Sequence, residues 1–107
     1  MKTIIFCICL CLPTFSYADK VIGTVSIIAP TSQNASMVSS RGYTEFQVVG
    51  QPAGCLWFFI TPQDNNVLAT LLSADAQQRY VEVTYNPSKF APWTNSSCAA
   101  ELVFLLP

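Results

Sequence analysis

The spacing of apolar and polar positions divides the chain into short blocks, each with one period. Residues 20–29 alternate, with Val21, Gly23, Val25 and Ile27 on one side and Ile22, Thr24, Ser26 and Ile28 on the other, and the run stops at Pro30. This predicts a first strand with Gly23 at a bend or bulge. Residues 31–40 are a polar loop of Ser, Asn and Gln. A second strand is predicted over residues 42–49, with Thr44, Phe46 and Val48 inward and Tyr43, Glu45 and Gln47 outward, and residues 50–54 turn the chain back. Residues 54–60, rich in aromatics and bounded by Gly and Pro, have the composition of a strand buried on both faces. From Asp64 the period lengthens. Val67, Leu68, Leu71 and Leu72 form the stripe of an amphipathic helix, supported by Ala69, Ala74 and Ala76, with either Thr61 followed by Pro62 or Asp64 itself as its start. At Arg79 the period drops to two again. Val81, Val83 and Tyr85 share one face of a fourth strand, Asn86 and Pro87 open a loop to Ser97 that holds Phe90, Pro92 and Trp93, and residues 98–106 form a last strand, apolar apart from Glu101.

Three strands, a helix and two further strands make a mainly β domain with one helix. The β-β-β-α-β-β order is that of a small five-stranded OB-like barrel, in which the helix plugs one end between strands three and four. An open α+β sheet with the helix on one face is the alternative. Which strand the fifth one pairs with, the first or the second, is what separates the two.

The first eighteen residues are set apart from this domain. Lys2, the apolar run over residues 4–12, Pro13 and the small-x-small site at Ser16, Tyr17 and Ala18 have the layout of a secretory signal peptide, so residues 1–18 are expected to leave and residues 19–107 to fold as a single domain. The apolar run is short of the roughly 20 residues that a membrane-spanning helix needs, so no membrane span is expected. Cys7, Cys9 and Cys11 would depart with the leader. Cys55 and Cys98 remain, and in a secreted or periplasmic protein of this size they are expected to form one disulfide.

Charge narrows the partners. Only 10% of residues are charged, against roughly 25% in ordinary soluble domains, and the formal net charge is −1. No basic patch exists to neutralise phosphates, which argues against nucleic acid. The polar surface is left to Ser, Thr, Asn and Gln, a composition suited to neutral polar ligands.

Catalysis is hard to build from this inventory. The chain has no histidine, and therefore no Ser-His or Cys-His pair and no zinc set, and Glu45, Asp64, Asp75, Glu82 and Glu101 fall singly on different elements. No enzyme activity, metal or cofactor is expected. Trp57, Phe58 and Phe59 read as core of a central strand before they read as a stacking platform. Trp93 stands beside Asn95, Ser96 and Ser97, where a sugar could stack on the indole and bond to the amide and hydroxyls, although a Trp folded over the barrel end has the same sequence appearance. Tyr43, flanked by Arg41 and Glu45, is a second candidate of this kind.

Residues 71–74 (Leu-Leu-Ser-Ala), running through Gln77 and Gln78 into Tyr80, Val81, Glu82, Val83, Thr84 and Tyr85, with a Trp in the following loop and a Cys-led last strand behind a signal peptide, resemble the B subunits of bacterial A-B toxins, especially the subtilase-cytotoxin and pertussis-like group. The resemblance spans most of residues 41–106. It implies a secreted OB-fold subunit that assembles as a pentameric ring, binds host glycans and carries a catalytic A subunit. The chain departs from that group in lacking a second disulfide, and no sugar-binding residue is carried over. A second class of function is a small periplasmic or secreted protein of structural or inhibitory role without glycan binding. A leftover apolar surface on the third and fifth strands, where Leu56, Phe58 and Ile60 oppose Cys55, Trp57 and Phe59, and Ala100, Leu102 and Phe104 oppose Val103 and Leu105, adds the expectation of a homo-oligomer.

Overall fold

A computed structural model describes residues 19–107; the expected signal peptide lies outside the described residues. The elements in order are β1 (Asp19–Pro30), a 3₁₀ turn (Val38–Ser40), β2 (Thr44–Val48), β3 (Trp57–Ile60), α1 (Asn65–Gln77), β4 (Tyr80–Ala91) and β5 (Thr94–Leu105). The strands close into a barrel in the order β1-β2-β3-β5-β4, the ring being completed by β1 against β4. The β3–β5 pair is parallel and the other four are antiparallel. This is the OB-like arrangement, and closure rules out the open sheet. The fifth strand pairs with neither the first nor the second: β5 sits between β3 and β4, and β1 closes the ring through Asp19↔Tyr85 to Thr24↔Tyr80.

Two bulges decide which residues face inward. In β1 the register slips between Val25 and Ile27, so Ser26 is an extra residue: Val25 is core, Ile27 is exposed, and Ile28 turns back to pack on the core. In β5 the slip falls at Glu101, between Ala100↔Tyr85 and Leu102↔Thr84. Ala100 therefore faces the core together with Val103 and Leu105, while Leu102 and Phe104 lie outside. Grouping Ala100 with Leu102 and Phe104, as unbroken alternation does, is thus incorrect. Gly23 is not the bulge. It is a buried residue placed where the Val49 carbonyl crosses β1, at the point where β1 passes from β4 to β2.

The core is Val25, Phe46, Val48, Phe58, Ile60, Val81, Val83 and Tyr85 from the strands, with Leu71 and Ala74 from α1. Thr44, Phe46 and Val48 point inward as the period of β2 predicts. Phe58 stacks between Phe46 (5.4 Å) and Tyr85 (4.8 Å). The Cys55–Cys98 disulfide is formed across a Cα–Cα distance of 5.5 Å and is itself buried in this cluster. Cys55 consequently faces inward and Leu56 outward, the reverse of the alternation expected over residues 54–60, because the strand begins only at Trp57.

Asp64 occupies the cap position of α1, so Thr61 does not start the helix. The Asp64 carboxylate reaches back to accept from the Thr61 amide and hydroxyl, both at 3.0 Å, and pins the β3–α1 turn. The buried stripe is Leu71 and Ala74 with Val67 and Leu68 beside them; Leu72, expected in the stripe, is exposed. One residue advances 100° around a helix, and once Leu71 faces the barrel, Ala74 rather than Leu72 completes that face. Gln78 ends the helix in a left-handed conformation (φ 54°). Arg79 then donates two bonds to the Leu106 carbonyl (3.0 and 2.8 Å), tying the start of β4 to the end of β5.

Candidate functional site

β3 supplies the floor of the candidate site. Phe58 and Ile60 are core, so Phe59 between them projects from the other side of the strand, across from Glu45 on β2 and Ala99 on β5. It is nonetheless buried, in a second small cluster with Ala91 and Ala99.

The cover comes from the chain itself. Residues 86–97, expected as a loop, are instead the far half of a long β4–β5 hairpin, paired at Asn86↔Ala99, Phe90↔Cys98 and Ala91↔Thr94. Pro87 does not end β4 because the strand bulges there: the register slips between Asn86 and Phe90, and the Asn86 side-chain carbonyl accepts from the Ser88 amide at 2.9 Å in a local turn. The tip at Pro92 and Trp93 delivers the indole onto Phe59, with ring centroids 6.2 Å apart. Phe59 is therefore not leftover surface, and the apolar surplus expected on that strand is reduced, Leu56 alone among its large hydrophobics staying exposed. Trp57, Phe58 and Phe59 form no joint platform either, since Phe58 is inside the barrel and Phe59 outside it.

Tyr43 comes to the same place from the opposite direction. The segment between β1 and β2 is a compact loop closed at its base by two backbone bonds, Thr31 N–H to Tyr43 O (2.8 Å) and Gly42 N–H to Thr31 O (3.1 Å). That closure sets Tyr43 against Trp93 at 5.1 Å with planes at 81°, and against Phe59 at 6.0 Å. Two candidates fifty positions apart in sequence thus touch. In an edge-to-face pair the edge-on ring keeps both of its own faces clear of its partner. Tyr43 and Trp93 remain partly buried over a buried Phe59.

The polar candidates divide. Ser96 and Thr94 share a hydroxyl–hydroxyl bond of 3.0 Å, and the Ser96 amide donates to the Thr94 hydroxyl at 3.2 Å, which orders the first residues of β5 beside Trp93. Asn95 between them is exposed. Ser97 is buried, its hydroxyl unpaired among the described residues. Arg41 donates from Nε to the Ala35 carbonyl at 2.8 Å and braces its own loop rather than the aromatic cluster. Thr94 is not singled out by sequence, and Phe59 is weighed there only together with Trp57 and Phe58, with a core reading preferred. The alternation of Phe59 against Phe58 was the available sign for one, and nothing marked the other.

Among the described residues no pocket forms, so the aromatic cluster is a surface patch. Among the described residues no group of three or more His, Cys, Asp or Glu side chains comes together, and no helix of theirs is long and apolar enough to cross a membrane. Compared with known proteins, the chain matches no family model, no curated protein and no solved structure.

Proposed function

We propose that this protein is a secreted, glycan-binding B subunit of a bacterial A-B type toxin, assembled as a homo-oligomeric ring of five copies and carrying a catalytic A subunit to sugars on host cells. The observation that carries the reading is the Tyr43–Trp93 contact on Phe59: two partly buried aromatic rings packed on a buried third, beside Thr94, Asn95 and Ser96. A sugar presents an apolar C–H face for stacking and a rim of hydroxyls for hydrogen bonding, and this patch has the matching groups. The low charge of the chain and its lack of histidine support a carrier rather than a catalyst. The barrel order is the OB-like one that the resemblance to toxin B subunits implies.

A glycan array probed with the purified, exported protein tests the reading, followed by titration of the best sugar against Trp93→Ala and Trp93→Phe. Trp93→Ala is expected to weaken binding by about tenfold or more, a loss of about 1.4 kcal/mol, with Trp93→Phe intermediate. Equal binding by wild type and Trp93→Ala would move the site elsewhere. No bound sugar at all would favour the small structural or inhibitory protein.

A further inference from the structure

β2 carries one charged side chain, and it stands on the outer face beside the aromatic cluster. Thr44, Phe46 and Val48 point into the barrel, so Glu45 and Gln47 point out of it. The pairings Ala29↔Glu45, Glu45↔Phe59 and Phe59↔Ala99 set Glu45 in one row across β1, β2, β3 and β5, with Phe59 on one side of it and only the methyl group of Ala29 on the other. Side chains opposed in this way have Cβ atoms about 5 Å apart. Tyr43, two positions before Glu45, packs on that same Phe59 ring at 6.0 Å, and Trp93 at 6.2 Å. Glu45 therefore borders the three rings.

Its carboxylate is unspent. Among the described residues the one ion pair is Lys20 with Glu82 at 3.6 Å, and the polar groups around Glu45 are committed elsewhere. The Gln47 amide donates to the Leu56 carbonyl (2.8 Å), Arg41 Nε donates to the Ala35 carbonyl (2.8 Å), and the Thr94 and Ser96 hydroxyls bond each other (3.0 Å). Lys89 is exposed on the hairpin and makes no ion pair with Glu45. Glu45 is nevertheless partly buried. A carboxylate beside an apolar surface gives up part of its hydration, so it accepts strongly from any O–H or N–H brought to it. It also repels a second anion, and no paired cation offsets that charge. The Ser97 hydroxyl, across from Trp57 in the neighbouring row, is fully covered and lies out of reach of a ligand on this surface.

We propose that Glu45 sets the class of sugar taken at this site: an uncharged sugar that stacks on Trp93 and Tyr43 while its hydroxyls donate to the Glu45 carboxylate, to the exclusion of sugars bearing a carboxylate or sulfate. The two carboxylate oxygens can accept from a pair of neighbouring ring hydroxyls, a pattern that sugars present and most other apolar-faced ligands do not. An acidic sugar would need a cation in the same place, and Arg41 braces its own loop instead. The inference rests on the glycan reading above and narrows it.

An array of hexose termini, each paired with its uronate (galactose with galacturonate, glucose with glucuronate, mannose with mannuronate), tests it with the purified protein and its Glu45→Gln variant. Wild type is expected to bind an uncharged terminus at least about tenfold more tightly than its carboxylated counterpart. Glu45→Gln keeps the shape of the side chain and removes its charge. It is expected to weaken the uncharged sugar about tenfold and to bring the two classes within about threefold of each other. A variant that merely folds poorly would weaken both classes alike, so the ratio isolates the carboxylate; thermal unfolding checks the fold, and Glu45→Thr is the substitute if Glu45→Gln fails it. Carboxylated termini bound as tightly as uncharged ones by wild type, or a ratio that Glu45→Gln leaves unchanged, would overturn this inference and leave the glycan reading standing. Binding to no terminus of either class would overturn both.

Discussion

Gly23→Ala is the most direct perturbation of barrel closure. β1 serves two neighbours, β4 through residues 19–24 and β2 through residues 25–30, and at the crossing Val49 donates its amide to the Thr24 carbonyl at 2.9 Å. A Cβ on Gly23 would collide with the Val49 carbonyl oxygen and come within 3.3 Å of its carbon. The carbonyl would have to retreat by about 1 Å to regain van der Waals contact. Overpacking of this kind costs about 1–3 kcal/mol. Losing the adjacent Val49–Thr24 hydrogen bond adds about 1–2 kcal/mol, and the smaller unfolded-state entropy of Ala returns about 0.4–1 kcal/mol. The net loss is about 1–5 kcal/mol, centred on about 3 kcal/mol, a large part of the roughly 5–10 kcal/mol expected for a domain of this size. At about 4–8 °C per kcal/mol, the centre of that range is a fall in Tm of roughly 12–24 °C. Urea unfolding followed by circular dichroism gives the same quantity, with an unchanged m-value showing that the unfolded ensemble is not the cause. Gly54→Ala is the control: Gly54 has open space around its missing side chain and is not among the positive-φ glycines, so the change is expected to be neutral or stabilising by up to about 1 kcal/mol. Gly23→Ala within about 0.5 kcal/mol of wild type would refute the argument, since the end of β2 would then have slack that the close approach denies.

Two further perturbations follow from the core. The Cys55–Cys98 disulfide spans a sequence separation of 43, and removing it is expected to cost about 4 kcal/mol through the freed entropy of the unfolded chain; two free thiols in the protein purified without reductant, or a loss under about 1 kcal/mol, would contradict this. Burial, and secondarily the Asp19 carboxylate, raise the Tyr85 phenol above its ordinary value of 10.0. The folded protein thus keeps a proton that the unfolded chain releases, so the stability this phenol contributes is complete below pH 10.0 and is lost as pH climbs through the folded value. Tyr85→Phe is expected to flatten the alkaline fall in stability, and parallel pH curves for variant and wild type would disprove the linkage.

Wherever one period ran without interruption, the sequence was sufficient. The inward set Thr44, Phe46 and Val48, the set Val81, Val83 and Tyr85, and the β-β-β-α-β-β order with one disulfide all stand in the structure. The failures cluster where one extra residue changes the phase. Neither Ser26 nor Glu101 differs in composition from an ordinary outward strand residue, so nothing in the chain announces the bulges, yet every side chain beyond them changes side. Leu72 failed for a different reason. With Leu71 fixed toward the barrel, hydrophobicity favoured Leu72 over Ala74, but geometry and the tight fit against the barrel end favoured the smaller residue.

The candidate site was half legible for the same reason that the fold was. Tyr43 and Trp93 could be picked out singly as aromatics among polar neighbours, because that is a local property of composition. Their meeting is not local. It requires Pro87 to be absorbed in a bulge rather than to end β4, so that the hairpin runs on to Ala91 and its tip reaches β3. It also requires the loop between β1 and β2 to close at Thr31 and Tyr43. Phe59 lies at the intersection, and its identity follows from both. A polar residue there would leave Trp93 and Tyr43 without an apolar floor, and the core would be unaffected because Phe58 and Ile60 face the other way. Phe59 thus belongs to the aromatic cluster and not to the barrel core, which is why a strand that looks doubly buried in sequence packs one face into the barrel and the other under Tyr43 and Trp93.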